Sequence, residues 1–313
     1  MVLIVTEALS STGDQRRQWV WLMALSLATA GLTVMATSLA SSRAESATPV
    51  AVAPPQATGN EIAASESGST VEVSMAEMLQ LANTALAETN AHLDDYTARL
   101  IKQEQDRSGV LQPASEISLK VVTRHAGGTP GGPLKVYLRF ESPSNIRGRE
   151  VIWVDDQNDG KMQVREAGMV GAMMTVSLPP EGFLAMQGQR YPIAEIGLTR
   201  LLEKLIERGG EDRDDPHVRV FKTEGYPFDG RSLTHLRIER SQPTGRENDF
   251  AVAELVLDQP QNLVVSYRSF DWPKPNSDQR PLIESYEYHD LQTNVGLTAR
   301  DFDTANPEYS FAK

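Results

Sequence analysis

The chain has 313 residues, 30 Lys plus Arg against 42 Asp plus Glu, a net charge of −12 and 40% hydrophobic residues. This composition is too apolar for a disordered chain and too polar for a multi-span membrane protein. The absence of cysteine excludes disulfides, thiolate metal sites, thiol catalysis and a lipidated N-terminal cysteine. The acidic balance argues against nucleic-acid binding, which needs clustered positive charge.

Residues 19–40 run for 22 positions without a charge, behind Arg16 and Arg17 and before Arg43. A basic flank, an apolar run and then small residues read as an export signal. Ser38-Leu39-Ala40 and Ser42-Arg43-Ala44 offer cleavage spacing. The run is long for a signal core, so a retained anchor in the cytoplasmic membrane also fits. Either places the body outside the cytoplasm, in the periplasm or cell envelope. Without residues 1–44 the body holds 27 basic and 40 acidic side chains, a net −13. Anionic membrane surfaces would repel it, so lipid contact should be apolar. Membrane contact is then expected only through residues 19–40, if they are uncleaved.

Between residues 41 and 73, 21 of 33 positions are Ala, Ser, Thr, Pro or Gly. A stretch with so few large apolar side chains reads as a tether. The expected organisation is therefore a signal or anchor over 1–44, a linker over 45–73 and one domain over 74–313.

The domain opens on Ser74-Met75-Ala76-Glu77, a capping box. Met75, Met78, Leu79, Ala82 and Leu86 follow at helical spacing, predicting an amphipathic helix over 75–91. The period then changes to two. Tyr96, Ala98 and Leu100 alternate with Thr97, Arg99 and Ile101, and similar runs follow at 117–122, 134–141, 150–154 and 162–165. Later strands are predicted at 217–223, 233–239, 250–257, 263–270 and 282–288, separated by Gly, Pro, Asn and Asp. A second helix is expected at 198–208, with Gly209-Gly210 as its stop. The fold class is α+β: a large curved antiparallel sheet of about ten strands, an incomplete or half β-barrel, covered by a few helices. Its inner face must be buried. Either the barrel is filled or its concavity holds a hydrophobic ligand.

Further motifs carry the family reading. Tyr96-Thr97-Ala98-Arg99-Leu100 begins the first strand after the helix, and Leu134 to Pro143 reads LKVYLRFESP. Gly148 to Val154 reads GREVIWV, and Tyr288 to Asn294 precedes Asp301-Phe302-Asp303 and Asn306 to Phe311. In order and spacing these resemble the LolA/LolB-like superfamily, the lipoprotein-sorting and lipoprotein-binding proteins of the bacterial envelope. More closely, the chain resembles an uncharacterised bacterial domain-of-unknown-function family of exported proteins. The resemblance covers about 75–311 and takes the ending as a closing strand. It implies a half-barrel with an apolar hollow that accepts acyl chains of lipoproteins or lipids. It also implies an isolated basic residue in that hollow, by which carriers are thought to gate release; none is evident in this sequence.

Five of the body's seven methionines fall in residues 162–186: Met162, Met169, Met173, Met174 and Met186, joined by Phe183 and Leu184. Unbranched thioethers on a Gly- and Pro-punctuated loop can repack around variable apolar partners. They read as a lid or as ordinary gap-filling. Val136, Leu138 and Phe140 on a strand, and Met78 and Leu79 on the first helix, line a hollow or pack as core.

Other residues point to less. Glu211-Asp212-Arg213-Asp214-Asp215 lacks the spacing of a calcium loop and reads as a solvated turn. No two of the five histidines stand at metal-ligand spacing. Ser232, His235 and Asp229 have no nucleophile elbow around them. No catalytic residue, metal or cofactor is expected. The leading expectation is a non-enzymatic envelope protein that binds a lipid, a lipoprotein acyl chain or a similar apolar ligand, with envelope proteins as further partners. The alternative is a membrane-tethered sensor or protein-interaction module with a filled barrel.

Overall fold

The computed structural model describes residues 68–167 and 175–312. The apolar segment 19–40, the greater part of the expected linker, and Met169, Met173 and Met174 lie outside the described residues. Among those described, no helix is long and apolar enough to cross a membrane.

A short strand, β1 (Thr70–Val73), precedes the first helix, α1 (Met75–His92). It begins inside the stretch whose composition reads as linker. Ser74 caps α1 by accepting from the Glu77 amide at 3.1 Å, which satisfies one of the free N-terminal donors. Met75, Met78, Leu79, Ala82 and Ala85 form the buried stripe of α1.

Strands β2 (Asp95–Glu104), β3 (Ser115–Val122), β4 (Lys135–Ser142), β5 (Glu150–Val154), β6 (Met162–Arg165) and β7 (Thr175–Leu178) form an antiparallel meander. The second helix, α2 (Leu198–Glu211), then leads into β8 (Val218–Phe228), β9 (Arg231–Arg240), β10 (Val252–Asp258), β11 (Leu263–Phe270) and β12 (Leu282–Thr293). The twelve strands among the described residues belong to one sheet, ordered β1-β8-β9-β10-β11-β12-β2-β3-β4-β5-β6-β7. The sheet is open, with β1 and β7 at its ends. The α+β half-barrel expected from the alternation is present, with two strands more than the sequence indicated.

One buried cluster joins α1 and α2 to β8–β11 through residues such as Leu79, Leu202, Ile238 and Leu255. A second lies over β2–β6 and β12, centred on Leu100, Ile117, Leu119 and Val136. The two helices thus cover one half of the concave face. The chain between β7 and α2 covers the other.

Three local expectations are corrected. Helix α2 runs through Gly209-Gly210 to Glu211. Gly209 is a packing residue: a Cβ there would meet Leu79 Cδ2 at 2.9 Å, Met78 Cε at 3.0 Å and Met75 Sδ at 3.3 Å. Gly209→Val should therefore destabilise the protein by about 1–3 kcal/mol through overpacking. A lowered urea midpoint at unchanged slope would show it.

Second, Asp212 in the acidic run is only 2% exposed. It accepts from Arg240 and, at 2.8 Å, from Arg246. Third, the last strand ends at Thr293, and the following residues are no strand but turns packed on the convex face. There Phe302 and Tyr309 cluster with Tyr137, Ile152 and Val154. Tyr309 stacks on Tyr137 with centroids 4.1 Å apart. Buried Glu150 accepts from the Tyr137 hydroxyl at 3.0 Å and the Ser310 amide at 2.7 Å. This cover explains why every residue of β5 is buried.

Candidate functional site

The concave face encloses a cavity of about 210 Å³. Its floor is apolar: Leu100 of β2, Ile117 of β3, Leu138 and Phe140 of β4, Val151 of β5 and Val164 of β6. These positions share a face because the side-chain period of a strand is two. Leu201 and Leu205 of α2 form one wall. The roof is the segment 179–197, a strap that leaves β7 at Pro179-Pro180 and enters α2 at Gly197. It contributes Leu184, Ala185, Ile193 and Ile196. Amides of Gly182, Met186 and Gln189 donate to the Pro179, Gly182 and Met186 carbonyls, which folds the strap into successive turns.

The residues singled out from sequence separate into groups. Met162, Leu138, Phe140 and Leu184 line the cavity. Phe183 is 81% exposed and Leu184 62% exposed at the tip of the strap. Met186 is buried beneath it. Val136 is fully buried in the core under β2–β6. Met78 and Leu79 pack in the helix-covered core against Gly209. Ser232 and His235 are not brought together as a pair. His235 stacks on Tyr226 at 4.6 Å, and Asp229 contacts His289 at 3.2 Å.

Basic residues do face the cavity, each engaged locally. Lys102 Nζ lies 2.8 Å from Glu104, Arg149 2.9 Å from Glu166, and Lys204 2.9 Å from Glu195. Arg200 lies 2.8 Å from Glu195, and Arg208 donates to the Asn248 carbonyl at 2.8 Å. Lys102, Arg149, Arg200 and Lys204 are thus ion-paired, whereas Arg208 borders the hollow with a neutral carbonyl as its hydrogen-bond partner.

One end of the cavity is polar, a feature missed in sequence. Glu104 of β2 and Glu284 of β12 are cross-strand partners, as are Lys102 and Tyr286 in a neighbouring pair. All four line the cavity together with Tyr191 of the strap. Burial holds the Glu284 carboxyl above the ordinary carboxylate range, against the pull of Arg190 and Arg208. Burial, with Glu284 beside it, pushes the Tyr191 phenol up to about 12. Parity was the available signal: Lys102 and Glu104 continue the inward row Tyr96, Ala98, Leu100.

These features define a class: an open-sheet α+β protein with a strapped, mainly apolar hollow. The family model described as Protein of unknown function (DUF1571) matches residues 93–311, and the chain belongs to that family. No curated protein matches it. Similar solved structures include a domain described as that of a putative outer membrane lipoprotein-sorting protein from Vibrio parahaemolyticus. It is 12% identical, with a TM-score of 0.33, covering 73% of this chain and 97% of that one. A DUF1329 family protein from Desulfovibrio piger is 11% identical, with a TM-score of 0.34 and coverages of 73% and 97%. A LolA superfamily protein from Nitrosomonas europaea is 9% identical, with a TM-score of 0.27 and coverages of 71% and 97%. Likenesses of this degree say nothing of a ligand or partner.

Proposed function

We propose that the protein is a non-enzymatic, exported envelope protein whose hollow binds one acyl chain of a lipid or lipoprotein, with the strap 179–197 as a lid. The observation that carries this reading is the roofed cavity with its floor of Leu, Ile, Val and Phe side chains. Affinity would come from burial, at about 0.8 kcal/mol per methylene. Export rests on the basic-apolar-small pattern of residues 16–44.

A cavity of about 210 Å³ is small, since ligand pockets usually span roughly 300–1,000 Å³. The strap must therefore shift to admit a long chain. The same smallness favours the rival, a tethered protein-contact module with a filled barrel. Titration with a fluorescent fatty acid distinguishes them. The protein, expressed as the full chain and exchanged into detergent-free buffer, should enhance probe emission saturably with one site. An emission that stays linear with added probe would leave the filled-barrel reading.

A further inference from the structure

We infer that the hollow takes a single-chain carboxylic acid head first, with Arg208 anchoring its carboxylate and the chain running over the apolar floor towards Leu184. This rests on the binding reading above and names the ligand class of the same cavity.

Arg208 is singled out by the pairing of its neighbours. Lys102 Nζ lies 2.8 Å from Glu104 and Arg190 Nε 3.9 Å from Glu284, so two cations face two buried carboxylates. Glu104 also accepts from the Arg190 amide at 2.8 Å and from Tyr286, and Glu284 accepts from Ser269 Oγ at 3.2 Å. Asp212 is held by Arg240 and Arg246. Arg149 is paired with Glu166, and Arg200 and Lys204 share Glu195. Arg208 borders the same cavity, yet among the described residues it has no ion pair. Its side chain makes one hydrogen bond, from Nη1 to the Asn248 carbonyl at 2.8 Å. A half-buried cation with spare N–H groups is costly unless an anion meets it. One positive charge is thus left over at the polar end, which suits a monoanion. The guanidinium is planar and always charged, and its fork matches a carboxylate.

The group is also held in place. Asn248, whose carbonyl accepts from Arg208, accepts at Oδ1 from Arg190 Nη2 at 2.6 Å. Tyr191 is a second donor for the incoming carboxylate. Its hydroxyl makes only a long contact to Glu284, at 3.4 Å, and it stands within reach of the Arg208 charge.

The two ends of the hollow set the direction of entry. Val164 of β6, Leu178 of β7 and exposed Leu184 mark one end. At the other, Gln189 and Arg190 of the strap are fastened by Lys102, Glu104 and Asn248. Beyond Tyr267 the hollow meets Met75, Ile238 and Leu255 of the helix-covered core. A chain that terminates in a carboxylate fits this closed end. A diacyl lipid or a lipoprotein continues past its ester or amide into a bulky head, which would have to pass the fastened strap.

Equilibrium dialysis of the full-length, delipidated protein at neutral pH against radiolabelled decanoic acid and, separately, decanol tests this. The probes share a chain and differ in the charged head. The acid should bind about ten- to a hundredfold more tightly, the usual worth of a hydrogen bond to a charged group. In Arg208→Gln the acid should fall to the level of decanol while decanol binding is unchanged. Arg208→Lys, which keeps the charge without the fork, should retain part of the preference. Where Arg208→Gln does not fold, Arg208→Lys carries the test, and an acid preference equal to that of the wild type overturns the inference. A role of Arg208 confined to tying α2 to Asn248 would lower the urea midpoint and leave the acid-to-alcohol ratio untouched, which also overturns it. Equal binding of both probes by the wild type overturns the head-first acid and leaves acyl binding standing. Uptake of neither probe overturns the inference together with the binding reading beneath it.

Discussion

Asp212→Ala will destabilise the protein by about 3–5 kcal/mol, the usual cost of removing one partner of a buried ion pair. Asp212 stands just after α2, where its amide donates to the Arg208 carbonyl at 3.2 Å. Its carboxylate takes Arg240 of β9, only 7% exposed, and Arg246 at 2.8 Å. Arg240 also lies over the Phe250 ring at 4.7 Å, and its Nε is 3.9 Å from Asp249. Among the described residues, its Nε and Nη1 have no hydrogen-bond acceptor. Without Asp212 a guanidinium would be left buried with a distant carboxylate and an aromatic face. Urea unfolding followed by the fluorescence of buried Trp153 reads the effect. A loss below about 1 kcal/mol, the range of exposed pairs, would show that water reaches Arg240 freely. Replacing both Asp212 and Arg240 by apolar residues should recover much of the loss.

Val151→Trp should weaken acyl-probe binding by about a hundredfold while leaving the protein folded. Val151 is buried on β5 and borders the cavity beside Leu138 and Val164. An indole there would project into the space otherwise open to ligand. Displacing about four methylenes of chain, at roughly 0.8 kcal/mol each, corresponds to roughly two orders of magnitude in affinity. The same substitution on a filled barrel would overpack and lower stability by about 1–3 kcal/mol. Binding and unfolding must therefore be measured on the same variant. Lost affinity at near-unchanged stability marks an open hollow, and lost stability with unchanged probe response marks a closed one.

Much of this fold is legible in the sequence because burial on one face imposes a period. The stripe from Met75 to Ala85 shows α1, and alternation shows ten of the strands. The two that escaped, β1 and β7, are four residues each with mainly exposed side chains. An edge strand without a buried row leaves no alternation to find. The run through Gly209 failed for another reason. A glycine that ends a helix and one that lets a second helix approach are the same letter. Which it is depends on Met75, Met78 and Leu79, more than a hundred positions away. The buried state of Asp212 likewise depends on Arg240, 28 residues on, which no local pattern announces.

Parity points to part of the apolar floor: Ile117, Leu138 and Phe140 border the cavity, whereas Val136 of the same row packs in the core. The cavity's polar end was not recognised, although Lys102 and Glu104 continue the inward row of β2 and Glu284 and Tyr286 that of Tyr288. Charged residues on alternating positions usually face water. Only the strap, which brings Arg190 and Tyr191 over them, turns these into an interior group. That strap is long-range structure and leaves no mark on the strands it covers.

Whether the hollow holds an acyl chain is tested most directly by expressing the full chain in a bacterial host and recovering the protein without detergent. Native and denaturing mass spectrometry would follow, with organic extraction of whatever is bound. The expected result is a co-purifying acyl lipid in near-stoichiometric amount that leaves on denaturation. A single apo mass under both conditions, unchanged after incubation with fatty acid, would contradict acyl binding.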